Sequence, residues 1–453
     1  MTKRLLVIGG DAAGMSAASG TKRRLGDDVE VVVVERTTWT SYSACGIPYW
    51  VAGEVDGPDG LVARSPEQHR ERGIDVRTGV EAVAIHPDSR SVDVRDADGG
   101  TDRLEYDDLL IATGAEPVRP PLPGIDAAGI HGVQSLDDGC RLVDALADVR
   151  RVVVVGSGYI GIEMAEACLL RGLEVTVVDQ AEAPMTLLDP ELGAQVHVAM
   201  DGLGITTHMG TAVEGFGVDA QGHVRSVETS AGTLDADLVV LGLGVRPRAT
   251  LAADAGLPVG DLGGYVVDEH QRVDVDRHVW AAGDCVESRH RLTGAAVHVP
   301  LGTHANKQGW VVGRNVGASG DLASFPGVLG TAVTKVCDLE IGITGLTERA
   351  ALDAGLDAVS ATIEATTRAG YYPGAEPMTV KMVADAATRR VLGAQIVGRE
   401  GSALRIDTVA TALWAGLSVD DVMLSDLAYA PPFSPTWDPV QVAARALAGQ
   451  LGY

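Results

Sequence analysis

Short apolar runs, each closed by glycine, set the pattern of this chain. Leu5-Leu6-Val7-Ile8 has no polar position, as a strand buried on both faces requires, and it runs into Gly9-Gly10-Asp11-Ala12-Ala13-Gly14. A helix of small residues is predicted over 15–24, then a second apolar strand over 29–34 that ends at Glu35. The same unit returns at Arg151-Val152-Val153-Val154-Val155. It continues through Gly156-Ser157-Gly158-Tyr159-Ile160-Gly161, a predicted helix to 171, a strand over 174–178 and Asp179. Between the units, 109–115 reads as a strand ending in a tight turn. Residues 116–124, with four prolines, read as a linker. Strand-and-turn segments recur at 239–247 and 279–284. From about Phe325 the pattern changes: strand-like pieces at 378–383 and 391–397 precede a helix over 406–416 and a tail rich in proline and aromatic residues.

Strand, glycine turn, helix, strand and acid form a dinucleotide-binding unit, in which turn amides and the helix N-terminus hold pyrophosphate and the acid holds a ribose hydroxyl. Gly14 and Glu35 are 21 residues apart, as that geometry requires. Two such units predict an α/β chain with two Rossmann-like domains and an α+β C-terminal domain. The expected boundaries are 1–115 with 246–324 for the first, 116–245 for the second and 325–453 for the third. Asp179 suits the 2′-hydroxyl of NADH, and residues 180–182 offer no arginine for a 2′-phosphate, so NADH is expected and NADPH possible. Asp11 stands where a middle glycine is usual, and its carboxylate would repel phosphate unless it turns away.

At 453 residues the chain exceeds one core. Its net charge of −26 argues against nucleic acid or an anionic membrane as partner. The five cysteines (45, 140, 168, 285 and 337) form no Cys-x-x-Cys pair and no zinc spacing, so no metal site is expected. No apolar run approaches a membrane span, and residues 1–10 lack a signal-peptide pattern, which points to the cytoplasm. One cysteine stands out. In Ser41-Tyr42-Ser43-Ala44-Cys45-Gly46-Ile47-Pro48-Tyr49, Cys45 lies between small residues and a Pro-Tyr corner, a setting for chemistry rather than packing; the other four are read as structural.

With these motifs the chain resembles, over essentially its whole length, the flavin-dependent pyridine nucleotide-disulfide oxidoreductases. Within them it is similar to the single-cysteine branch of coenzyme A-disulfide reductases, NADH oxidases and persulfide reductases. Further matching marks are Ala112-Thr113-Gly114, Glu163, Ala282-Gly283-Asp284, Pro300-Leu301-Gly302 and Tyr429-Ala430-Pro431-Pro432-Phe433-Ser434. The resemblance implies a glutathione reductase-like fold, FAD and NADH as cofactors, and a homodimer whose site is completed by the partner subunit. It implies Cys45 as the redox group and Tyr429, with Tyr371 or Tyr372 (Tyr372 being the candidate taken forward), as acid groups.

For the flavin it implies Gly9, Gly10, Ala13, Gly14, Glu35, Arg36, Ser43, Val80, Thr113, Gly114, Gly283, Asp284, Pro300 and Leu301. For the nicotinamide nucleotide it implies Gly156, Gly158, Tyr159, Ile160, Gly161, Glu163, Asp179 and Gly244. Ser41, Arg23 and His298 are the implied substrate residues, and the substrate a small disulfide or thiol. Trp50 replaces the second cysteine of the two-cysteine branch, and Ser434-Pro435-Thr436 replaces its His-Pro. Ala44 and Trp310 depart from the coenzyme A pattern. Ala12 stands where the oxidases carry histidine, which disfavours an oxidase using a Cys-sulfenic acid. A low-turnover flavin redox sensor is the third reading. No rhodanese-like extension is expected.

Overall fold

The computed structural model describes residues 2–452. The chain forms two compact units, one of Met1–Val118, Gln134–Arg141 and Val245–Val328, the other of Arg119–Val133, Leu142–Gly244 and Leu329–Tyr453.

In the first unit a six-stranded sheet runs in the order Arg272–Asp274, Val279–Ala281, Asp108–Ile111, Lys3–Ile8, Val29–Glu35, Ile74–Thr78, parallel except for its first pair. Lys3–Ile8 lies inside it, Leu5 facing Val31 on one side and Asp108 on the other. Alternation then divides the side chains between two cores. Leu6, Ile8, Val32 and Val34 join the core shared with the three-stranded sheet Val80–His86, Ser91–Asp96 and Thr101–Glu105. Leu5, Val7, Val31 and Val33 join the core under the helices Ala12–Leu25 and Gly302–Asn315. Those helices touch through glycine: a Cβ on Gly309 would lie 2.2 Å from Ala13 O. The first helix begins at Ala12, three residues earlier than its pattern predicts. The proline-rich stretch is not all linker, because Ala115–Pro117 pairs antiparallel with Val245–Pro247.

The second unit holds a five-stranded parallel sheet in the order Thr206–His208, Glu174–Val178, Arg151–Val155, Leu238–Leu241, Ile130–Gly132. It also holds a five-stranded antiparallel sheet in the order Ala332–Val336, Leu339–Gly345, Val391–Gly398, Pro377–Asp385, Ala358–Thr366. The helix expected at 406–416 is Ile406–Ala415, ended by Gly416 at φ 68°. Within this unit Lys381 is buried, its Nζ 3.0 Å from Asp189 and from Glu348 and 2.5 Å from Glu191. Among the described residues no helix is long and apolar enough to cross a membrane, and no group of His, Cys, Asp or Glu could hold a metal ion.

Candidate active site

The first glycine turn is shaped by close approach. A Cβ on Gly9 (φ +108°) would lie 2.1 Å from Ala112 O, and one on Gly14 would lie 2.0 Å from Gly9 O, so neither position admits a side chain. Glu35 closes the turn: its Oε2 accepts from Gly10 N and its Oε1 from Thr37 N and Oγ1, each at 2.8 Å. No side chain caps the helix Ala12–Leu25, which leaves its N-terminal amides to an anion. The Asp11 side chain turns to the cysteine loop, where Oδ1 accepts from Tyr42 N at 3.1 Å.

The strand ends around this turn carry further predicted residues. Thr113 Oγ1 donates to Arg248 O at 2.6 Å, and Gly114 O accepts from Arg248 N at 2.9 Å. Gly283 (φ +87°) donates its amide to Gln308 Oε1 at 2.7 Å, and the neighbouring Asp284 is raised above the ordinary carboxylate range by burial, opposed by His298. Leu301 is the N-cap of Gly302–Asn315, with Pro300 before it; Val80 opens its strand, and Arg36 is exposed next to Glu35. Glycine turn, bare helix terminus and strand-end acid together fit an adenine dinucleotide such as FAD.

The loop carrying Cys45 is fastened along its length. Ser41, at φ 47°, donates its amide to Gly10 O at 3.1 Å and accepts Ala63 N at 2.8 Å through its carbonyl. Ser43 N donates to Leu61 O at 2.9 Å. Cys45 is exposed in the single turn Ala44–Gly46, just before the helix Ile47–Ala52. Trp50, on that helix, is buried against Gly139, where a Cβ would come within 2.4 Å of its ring. Cys168 and Cys285 are buried.

Sequence reading missed His69. It is buried, with Nε2 3.0 Å from Ser41 Oγ, and burial followed by the charges of Arg64 and Arg72 pushes it down to about 4. Arg64 in turn is lowered by burial and by the charges of Arg72 and Arg23. The signal was the capping box Ser65/Gln68, which starts the short helix Pro66–Arg70 and sets His69 inward. Of the predicted substrate residues, Ser41 meets His69, the charge of Arg23 acts on Arg64, and His298 has its Nε2 2.9 Å from Asp284 O.

The second unit repeats the turn. A Cβ on Gly156 would lie 2.5 Å from Gly242 O and one on Gly161 2.0 Å from Gly156 O; Gly158 and Gly244 border open space. Asp179 accepts from Ser157 N and Oγ at 2.7 Å each and from Ala181 N at 2.9 Å. Ile160 and Tyr159 begin the helix Tyr159–Leu170. The Tyr159 hydroxyl is buried without a partner among the described residues, and burial with the Glu163 charge raises it above the phenol range. Glu163, raised by burial, accepts from Thr334 Oγ1 at 2.8 Å. In the same unit the Tyr371 and Tyr429 phenols interact, and Tyr429 raises Tyr371. Tyr372 is part-buried, and its amide donates to Ala369 O at 2.7 Å.

Two dinucleotide folds and one exposed, loop-held cysteine define a flavin- and nicotinamide-dependent oxidoreductase. The pyridine nucleotide-disulphide oxidoreductase family matches residues 3–309 and its dimerisation domain matches residues 331–439, so the chain belongs to that family and uses FAD and NAD(P)H. It is 40% identical to the NAD(P)H coenzyme A polysulfide/persulfide reductase of Pyrococcus horikoshii, over 99% of each chain. It is 35% identical to the NADH oxidase of Methanocaldococcus jannaschii, over 98% of each. The structure of the NAD-dependent persulfide reductase from A. fulgidus superposes with a TM-score of 0.94 at 37% identity, over 99% of this chain and 83% of that one.

Proposed function

We propose that this enzyme is a cytoplasmic homodimer that uses Cys45 to reduce the sulfur–sulfur bond of a coenzyme A disulfide, persulfide or polysulfide. The carrying observation is an exposed Cys45 on the loop whose Ser41 meets His69, with the Arg64 and Arg72 charges acting on that histidine. Guanidiniums suit a phosphate-bearing thiol, and an exposed cysteine suits attack on its sulfur. The names of the reductase relatives support the same substrate class.

In this reading residues 1–115 and 246–324 hold FAD, 116–245 hold the nicotinamide nucleotide and 325–453 dimerise. Gly9, Gly10, Ala13, Gly14, Glu35 and Asp284 head the flavin set, with Arg36, Ser43, Val80, Thr113, Gly114, Gly283, Pro300 and Leu301. Gly156, Gly158, Tyr159, Ile160, Gly161, Glu163, Asp179 and Gly244 serve the nucleotide. FAD, when bound, supplies the two-electron link between nicotinamide and sulfur.

The Cys45 thiolate attacks one sulfur of the substrate, forming a Cys45–sulfur bond and expelling the other sulfur as thiolate. Breaking the mixed disulfide with an electron pair restores the Cys45 thiolate and frees the second thiol. Tyr429, with the Tyr371 phenol beside it, supplies the proton to the departing thiolate in the partner subunit's site. Exposed Leu424, Phe433 and Trp437, in the segment matched by the dimerisation domain, support that assembly.

Intact-protein mass spectrometry tests the covalent step. Incubation with coenzyme A disulfide should add one coenzyme A to the wild type and none to Cys45→Ser; equal labelling of both would overturn it. The NADH oxidase relative favours oxygen as an alternative acceptor, while Ala12 in the first glycine turn offers no proton donor there.

A further inference from the structure

Asp11 occupies the N-cap position of the helix Ala12–Leu25 with extended backbone (φ −114°, ψ −150°), yet its side chain does not cap that helix. Oδ1 accepts instead from Tyr42 N at 3.1 Å, while Ser41 N donates to Gly10 O at 3.1 Å. The loop that presents Cys45 therefore hangs from two consecutive residues of the first glycine turn. Glu35 faces Asp11 from the end of its strand, Asp284 faces it from the turn after Val279–Ala281, and the Tyr42 phenol and the Ala12 amide complete its surroundings. In a fold of this kind a dinucleotide's phosphates sit at the N-terminus of the first helix. A charged Asp11 opposes that anion, and a neutral one does not.

We propose that Asp11 is a positioning residue that takes up one proton as FAD binds and, neutral, couples flavin occupancy to the placement of the Cys45 loop. The inference rests on the flavin reading. Burial, opposed by the Tyr42 amide and reinforced by Glu35 and Asp284, pushes Asp11 up to about 7. Phosphate charge at the helix terminus raises it further. Binding then consumes a carboxylate and a proton and yields a carboxylic acid beside the flavin. By linkage, affinity is full below the pKa of the flavin-free site and falls about tenfold per pH unit up to that of the loaded site.

The test is to dilute the holoenzyme to equilibrium across about pH 5.5–8.5 and read released FAD by its fluorescence. In the wild type the apparent Kd should rise with pH above neutrality. Asp11→Asn, uncharged and still an acceptor for Tyr42 N, should hold the wild type's low-pH Kd throughout. Asp11→Ala should give a flat, weaker line and change the rate at which iodoacetamide alkylates Cys45, a rate that Asp11→Asn leaves alone. A flat wild-type profile, a wild-type slope in Asp11→Asn, or an Asp11→Ala alkylation rate equal to wild type would overturn the proposal. Should Asp11→Ala fail to fold, the wild type and Asp11→Asn still decide it. Purified protein without FAD would overturn the flavin reading itself.

Discussion

The exposed phenols of Tyr371 and Tyr429 interact, although 58 residues separate them in sequence. If the pair delivers the proton to the leaving thiolate, Tyr429→Phe should lower kcat by about 10²-fold, the lower end for a general acid. Tyr371→Phe should lower it less. The double variant should be little worse than Tyr429→Phe alone, because the two act as a unit. Tyr372→Phe should leave kcat within about twofold. Steady-state rates of the four variants check this.

Glu163 lies above its ordinary value of 4.5 because it is buried, with the Thr334 hydroxyl opposing the shift. A raised carboxylate favours the folded state most below its unfolded pKa and progressively less as pH rises through its folded one. Glu163→Gln should therefore gain stability relative to wild type as pH rises from about 4.5 towards neutrality, read as the difference in melting temperature across that range. Thr334→Val should do the opposite, at a cost of about 1–3 kcal/mol for a buried acceptor left without its donor.

Lys381 is buried among Asp189, Glu191 and Glu348. Lys381→Met removes the cation and leaves Asp189, itself buried and bonded to Gln395, without a counter-charge. The expected loss is about 3–5 kcal/mol in denaturant unfolding, the range for breaking a buried pair from one side. Lys381→Met combined with Asp189→Asn should recover part of it.

Asp179 holds the second turn through Ser157 and Ala181, and in the proposed reading it faces the nucleotide ribose, where it disfavours a 2′-phosphate. Wild type should prefer NADH, and Asp179→Ala with Gln180→Arg should shift the ratio of kcat/KM values towards NADPH by about 10²-fold or more. Parallel assays with the two nucleotides measure the ratio.

Much of this was legible in sequence because the rules involved are local. An all-apolar strand must be covered on both faces, and Gly9, Gly14, Gly156 and Gly161 sit where backbone leaves no room for a Cβ. The acid at each second strand's end follows from the same spacing. What sequence left open depends on residues that meet only after folding. Nothing near Glu163 in sequence points to Thr334, 171 residues away, and nothing near Ser41 points to His69. Tyr371 and Tyr372 share one neighbourhood in sequence, and nothing there points to Tyr429 beside Tyr371. Asp11 looked like an offence against its own glycine turn; the Tyr42 amide, 31 residues on, gives it somewhere to turn.

The most direct measurement is NADH consumption by the purified yellow enzyme without oxygen, with coenzyme A disulfide or a coenzyme A persulfide as acceptor, beside Cys45→Ser. Rapid consumption by the wild type, falling by about 10³-fold or more in Cys45→Ser while the flavin stays bound, is the expected result. Consumption that begins only when air is admitted, or that persists in Cys45→Ser, would contradict the assignment of sulfur as acceptor and of Cys45 as its nucleophile.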